Sequence, residues 1–558
     1  MTISRLLLAA LLCAAAPGLS AQLLDGQTEY DRQDTLRGSL RPERDAYDVT
    51  FYHLDVRVDP ERRRLDGRVR TVFRARLPQR VLQFDLFENM ALHRAVDAQG
   101  RERPFTRDGN AVFVELAEPL VPGTVGELTL HYGGEPIAAK NAPWDGGFTW
   151  SEDGSGKPWI GVSCEGIGAS LWWPNKDHPS DEPDSMAISA EVPSGLVVVA
   201  NGNPRGVSEP DSGWTRYDWF VSYPINNYNV TLNIGDYVRF ADTFHGARGA
   251  LPLDYYVLPA NLEKAREQFE QVKPMMACYE EYFAPYPFYR DGFALVETPY
   301  LGMEHQGAIA YGNGYKPGYA GYDFSRIGLD FDYIIIHETG HEWWGNSISC
   351  ADMADLWIHE GFCTYSEALY VECLHGYDTA LRYVNAKKPS VANDAPIVGD
   401  YGVNGEGSGD MYNKGMLILN TLRHVADDDP AWFAAIRGLT EDFEHSVVSS
   451  AQVEAYLAER LGLDLDAFWD QYLRHADLPV LEYRLAGGKR KPVVEYRWVA
   501  DAEGFAMPVA WRAGKDRDWT RITPTADWES FELPKGADPG SLLWDQEHFY
   551  YRLRKEKG

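Results

Sequence analysis

The feature that most constrains this chain is a pair of histidines four residues apart, in His337-Glu338-Thr339-Gly340-His341. On a helix, residues four apart lie on one face, one turn above the other. Two imidazoles so placed can grip a single zinc ion, and Glu338 then stands near the open coordination position. Two surface histidines on a solvated helix would be the bland alternative. It fits poorly, because Ile334, Ile335, Ile336, Trp343 and Trp344 make this the most apolar helix of the chain. A buried helix with two His and two Glu needs a compensating charge.

A third ligand lies downstream. Glu360, in Trp357-Ile358-His359-Glu360-Gly361-Phe362, would complete a His₂Glu set and leave one position for water. Glu367 and Glu372 fall on the same predicted helix, and spacing does not choose among the three.

The remainder of the chain sets the frame. At 558 residues it is too long for one core. Arg5 and the apolar run Leu6–Ala16, followed by Pro17, Gly18, Ser20 and Ala21, read as an export signal over residues 1–21. Release to a periplasmic or extracellular space is expected; Cys13 raises lipid anchoring as a minor alternative. No later segment is apolar enough for a membrane helix. A formal net charge of −30 argues against nucleic-acid partners. Five cysteines follow the leader: Cys164, Cys278, Cys350, Cys363 and Cys373. One disulfide, among the last three, is the expectation, with buried free thiols weighted equally.

Residues 22–245 read as a β domain. Tyr52, Leu54, Val56 and Val58 alternate with His53, Asp55, Arg57 and Asp59, the period of a half-buried strand. Short β runs recur at 81–86, 111–116, 127–132, 197–200 and 228–234, so a β-saddle or sandwich is the natural reading. Residues 246–478 turn helical, with helices predicted over 261–283, 331–344, 354–374, 411–425 and 450–474. Residues 479–558 return to β and predict a small sandwich. The whole is a multidomain α+β chain.

The combination of motifs resembles the gluzincin zinc aminopeptidases, the aminopeptidase N and leukotriene hydrolase type. Trp343-Trp344-Gly345-Asn346 and Glu360-Gly361-Phe362 fit that pattern, although His359 stands where the family carries Asn. The resemblance implies an N-terminal β domain, a thermolysin-like, mainly helical catalytic domain and a small β-sandwich. It also implies one zinc per chain, held by His337, His341 and Glu360. Glu338 would be the general base, and Tyr412 in Tyr412-Asn413-Lys414-Gly415 would donate to the oxyanion.

The stretch Tyr300-Leu301-Gly302-Met303-Glu304-His305 is similar to the family's G-x-M-E-N motif, with Leu301 and His305 as departures. Glu304 would pair with a substrate α-ammonium. Gly302 and Met303 would line the peptide as an added strand, and Tyr300 would flank the first side chain. Glu165, in Ser163-Cys164-Glu165, stands as a second acid for the amine. Two carboxylates would reject blocked N-termini.

The expected substrates are therefore peptides with a free N-terminus. At 558 residues there is no room for the large helical C-terminal domain of many members, so the site is expected to be more open or covered by a dimer. A thermolysin-like endopeptidase and a non-catalytic peptide-binding zinc protein are the alternatives; a lipid-epoxide hydrolase ranks below both.

Overall fold

The computed structural model describes residues 29–488, 491–515 and 517–556. The export segment 1–21 and Cys13 lie outside the described residues.

The alternation read at Tyr52–Val58 holds: Tyr52, Leu54, Val56 and Val58 are buried on strand Tyr47–Asp59 while their neighbours face outward. This strand is the spine of an eight-stranded sheet, antiparallel to Arg64–Ala75 on one side and parallel to Ser185–Pro193 on the other. A four-stranded sheet holds Val197–Ala200, Leu232–Gly235, Pro158–Ser163 and Gly147–Glu152. Between these sheets lies one apolar core, filled by Trp172, Trp173, Ile188, Leu232 and their neighbours. The run predicted over 228–234 is only partly strand, because Asn227–Asn229 forms a 3₁₀ turn first.

The hairpin Val238–Gly246 and Gly249–Val257 straddles residue 245 and belongs by its hydrogen bonds to the next unit. That unit contains a five-stranded sheet ordered Val238–Gly246, Gly249–Val257, Phe293–Glu297, Ile309–Tyr311 and Gly302–Met303. Gly302–Met303 is therefore an edge strand, antiparallel to Ile309–Tyr311.

Helices pack beneath this sheet. The stretch predicted over 261–283 divides into Leu262–Gln268, a 3₁₀ turn Phe269–Gln271, and Val272–Tyr282. Pro274 explains the restart, since proline suits the first turn of a helix and not its interior. The histidine helix is shorter than predicted, Tyr333–Gly340, with Asp332 capping Ile334 and Ile335. The Glu360 helix runs Trp357–His375. The stretch 450–474 is two helices, Ser450–Leu461 and Asp466–Arg474, because Gly462 turns left-handed at φ 63°. Tyr377–Lys387 and Asp429–Asp442 are helices that periodicity did not reveal.

The disulfide is Cys278–Cys373, which corrects the expectation of a pair among Cys350, Cys363 and Cys373. It ties helix Val272–Tyr282 to the Glu360 helix; Cys164, Cys350 and Cys363 are buried thiols.

Two facing sheets complete the chain. One is Glu529–Glu532, Lys491–Val499, Val480–Gly488 and Arg552–Lys555; the other is Thr520–Ile522, Val509–Ala513 and Leu542–Trp544. Trp511 stacks on Phe531 between them, with ring centres 3.9 Å apart. Their core is continuous with that of the helices, through Trp469, Tyr472 and Tyr550. Among the described residues, no helix is long and apolar enough to cross a membrane.

Candidate metal centre and the cavity around it

The histidine helix and the Glu360 helix bring three donor atoms together. His337 Nε2 and His341 Nε2 are 3.4 Å apart, and each lies 3.5 Å from Glu360 Oε2. Two ligands of a tetrahedral ion bonded at about 2.0–2.1 Å are separated by about 3.3–3.4 Å. The triangle is thus one face of such a site. Glu360 Oε2 is buried with no hydrogen-bond partner, which is the mark of an atom that needs a cation.

The ring tautomers agree with this. His337 Nδ1 donates to Glu367 Oε1 at 2.7 Å, and His341 Nδ1 donates to the Trp344 carbonyl at 2.8 Å. Both Nε2 lone pairs therefore point at the same spot, where only a positive charge relieves them. Burial opposes ionisation of Glu360, but His341 and His337 hold its carboxyl below the usual range. Cys363 is also near, but its thiol is committed to the His337 carbonyl at 2.8 Å.

The two competitor acids are occupied elsewhere. Glu372 is paired with Arg423 at 2.7 and 3.1 Å. Glu367 is a hub. Besides His337 it accepts from the Tyr333 hydroxyl at 2.7 Å and from Tyr383, with Lys387 Nζ at 3.3 Å. Burial alone would raise its pKa, but Lys387 and the donors hold it down to about 2.

A cavity of about 560 Å³ opens onto the triad. Glu338 faces it, and burial pushes its carboxyl up to about 8. Gly302 leaves room for that carboxylate: a Cβ there would lie 2.7 Å from Glu338 Oε1. Glu304, deeply buried, also lines the cavity, with its Oε1 accepting from the Tyr228 hydroxyl at 3.0 Å. Its carbonyl accepts from Asn346 Nδ2 at 2.8 Å, so the Trp-Gly-Asn segment fixes the edge strand.

Glu165 lines the same cavity from the β domain, and its Oε1 has no hydrogen-bond partner. Burial, then the charges of Glu304 and Glu360, push its pKa well above normal. Tyr412 stands beside the triad, its ring 6.3 Å from that of His337, and burial, then the charge of Glu360, pushes its hydroxyl's pKa well above normal.

Gly302, Met303, Glu304, Glu165, Glu338 and Tyr412 thus meet around His337, His341 and Glu360. Tyr300 does not join them. Its ring is buried against Gly161 and its hydroxyl donates to the Val162 carbonyl at 3.1 Å, so it supports the wall from behind while Leu301 lines the cavity.

The two histidines that depart from the family pattern are buried, and burial pushes each to about 3, so both are neutral. His359 Nε2 accepts from the Cys350 amide, and its ring stacks on Tyr228 at 6.5 Å. Sequence reasoning missed Tyr228 and Lys387. Neither sits in a local motif, and only the tertiary structure carries them to Glu304 and Glu367.

Residues 267–472 match the Peptidase family M1 domain. Over 458 residues the chain is 23% identical to aminopeptidase B of Mus musculus, an alignment covering 74% of this chain and 66% of that one. It is 28% identical over 228 residues to leucine aminopeptidase 2 of Vanderwaltozyma polyspora, covering 40% and 32% respectively. The chain thus spans just under two thirds of the aminopeptidase B it matches. The crystal structure of an M1 zinc metallopeptidase from Deinococcus radiodurans has the same fold, at a TM-score of 0.64 and 22% identity, over 78% of this chain and 94% of that one.

Proposed function

We propose that this chain, whose residues 267–472 match the Peptidase family M1 domain, is a zinc-dependent aminopeptidase that releases residues from the N-terminus of peptides. The observation that carries the reading is the pair of buried carboxylates, Glu165 and Glu304, facing one cavity beside the His₂Glu triad. Glu165 keeps an unpartnered oxygen there. A substrate ammonium satisfies both acids at once. An acylated N-terminus offers no charge and leaves them desolvated, which disfavours the endopeptidase reading.

His337, His341 and Glu360 would hold the zinc, which when bound supplies Lewis-acid activation of water and of the scissile carbonyl. The chain's own groups divide the remaining work. Glu338, kept basic by burial, takes a proton from the attacking water and returns it to the leaving amine. The Tyr412 hydroxyl donates to the oxyanion that develops at the scissile carbonyl. The edge strand Gly302–Met303 offers backbone hydrogen bonds to an extended peptide, as strand addition does.

Export to a periplasmic or extracellular compartment is part of the same proposal. The Cys278–Cys373 disulfide supports it, since such bonds persist in oxidising surroundings. Whether a second copy covers the cavity is read from the mass in solution: a compact monomer leaves the open-site version.

The test is Glu338→Gln. Zinc content should stay at one ion per chain while hydrolysis of an aminoacyl anilide falls by about 10²–10⁴-fold. Full turnover in that variant would remove Glu338 as the base.

A further inference from the structure

The cavity has a direction. Glu304 and Glu338 bring carboxylate oxygens within 4.8 Å of the His341 imidazole, whereas the Tyr333 ring lies on the His337 ring. The first residue of a substrate held by Glu165 and Glu304 therefore lies on the His341 side. The residue after the scissile bond, whose amine Glu338 protonates, lies on the His337 side.

That second side carries an aromatic row. Tyr333 stacks on the His337 ring at 5.4 Å and 13°. Tyr319 and Phe324 both meet Tyr333 edge-on, at 5.4 and 5.6 Å. All three line the cavity and are half-buried, so apolar ring surface faces the space a substrate would fill. Lys387 backs the row, its Nζ 3.9 Å from the Phe324 ring centre, and is neutralised by Glu367 at 3.3 Å.

The loop that carries Tyr319 and Phe324 is tied down before any ligand arrives. Asn313 Nδ2 donates to the carbonyls of Lys316 and Gly318 and to Asp332 Oδ1. Asp323 accepts from the amides of Ser325, Arg326 and Gly328. A preformed wall selects without an ordering cost.

We propose that Tyr319, Phe324 and Tyr333 form the subsite for the second residue of the substrate and select an aromatic or large aliphatic side chain there. The inference rests on the aminopeptidase reading and adds to it the identity of the residue behind the cleaved bond. A basic second residue meets Lys387 and no free acid on the row. An acidic one meets a lysine already committed to Glu367. An apolar one is desolvated against three rings.

The experiment compares kcat/KM of the zinc-loaded enzyme on Leu-Phe, Leu-Ala, Leu-Glu and Leu-Lys dipeptide amides. Leu-Phe amide should be cleaved about 10–100-fold better than the other three. In Phe324→Ala and Tyr319→Ala the Phe-to-Ala ratio should fall to within about threefold, with Phe324→Leu keeping an intermediate ratio. Each ratio is taken on one preparation, so loss of folded protein does not move it. A wild-type ratio near one, or an unchanged ratio in both alanine variants, overturns the subsite while leaving the aminopeptidase reading intact. No cleavage of any of the four amides overturns both together.

Discussion

Glu367 is where the metal site meets the core, and replacing it with glutamine separates two effects that a structural residue would not separate. The carboxylate accepts from His337 and Tyr333 on Oε1 and from Tyr383 and Lys387 on Oε2. A glutamine supplies one acceptor oxygen and one NH₂, so one pair of donors must face N–H groups. If the amide turns toward Tyr383 and Lys387, the ammonium of Lys387 is left buried without a counter-charge, which costs about 3–5 kcal/mol. If it turns toward His337, the Nδ1–H loses its acceptor and the Nε2 lone pair is no longer aimed at the zinc. Loss of such an outer partner typically lowers metal affinity by about 10–100-fold. In either orientation the neutral amide removes the counter-charge of Lys387 and weakens the acceptor that orients His337, so Glu367→Gln should be less stable in its zinc-free form and bind zinc more weakly. Adding Lys387→Met should restore most of the zinc-free stability without restoring zinc affinity. The assays are urea unfolding of the chelator-treated protein and competition for zinc against a chelator of known affinity. A single variant with wild-type stability and wild-type zinc affinity would refute the hub.

Two further outcomes follow from features away from the zinc. The Cys278–Cys373 bond closes a loop with a sequence separation of 95, for which the chain-entropy model gives about 4–5 kcal/mol; reductant, or Cys278→Ser with Cys373→Ser, should lower the urea midpoint, and an unchanged midpoint would contradict a stabilising role. Burial holds His178, His305 and His424 to about 3, so they fold neutral while the unfolded chain takes up their protons near 6.5. Their contribution is whole above 6.5 and is lost progressively as pH falls toward 3. Urea midpoints measured from pH 7.5 down to 4 should decline, and His424→Gln should flatten the decline; identical slopes would count against it.

How much of this was legible in the sequence depends on the range of the forces involved. The His337–His341 pair was legible because helical geometry fixes residues four apart. Strand Tyr47–Asp59 was legible because burial on one face imposes a period of two. The choice of Glu360 over Glu367 and Glu372 was not a matter of spacing. Arg423 and Lys387, which come from distant segments, occupy the other two acids. The side-chain direction of Tyr300 was not legible, because a motif gives proximity and not the face a side chain takes; its ring lies against Gly161 and its hydroxyl donates to the Val162 carbonyl. The disulfide partner Cys278 lies on a helix whose packing against Trp357–His375 no local pattern announces. The break at Gly462 was visible as a residue, but a helical period on both sides of it concealed the turn.

The most direct test of the central claim is a matched pair of fluorogenic peptides, identical except that one is N-acetylated, assayed with the zinc-loaded protein and again after chelation. The account predicts cleavage of the free peptide alone, lost on chelation and restored by added zinc. Equal cleavage of both peptides would leave the metal site standing and contradict the role given to Glu165 and Glu304.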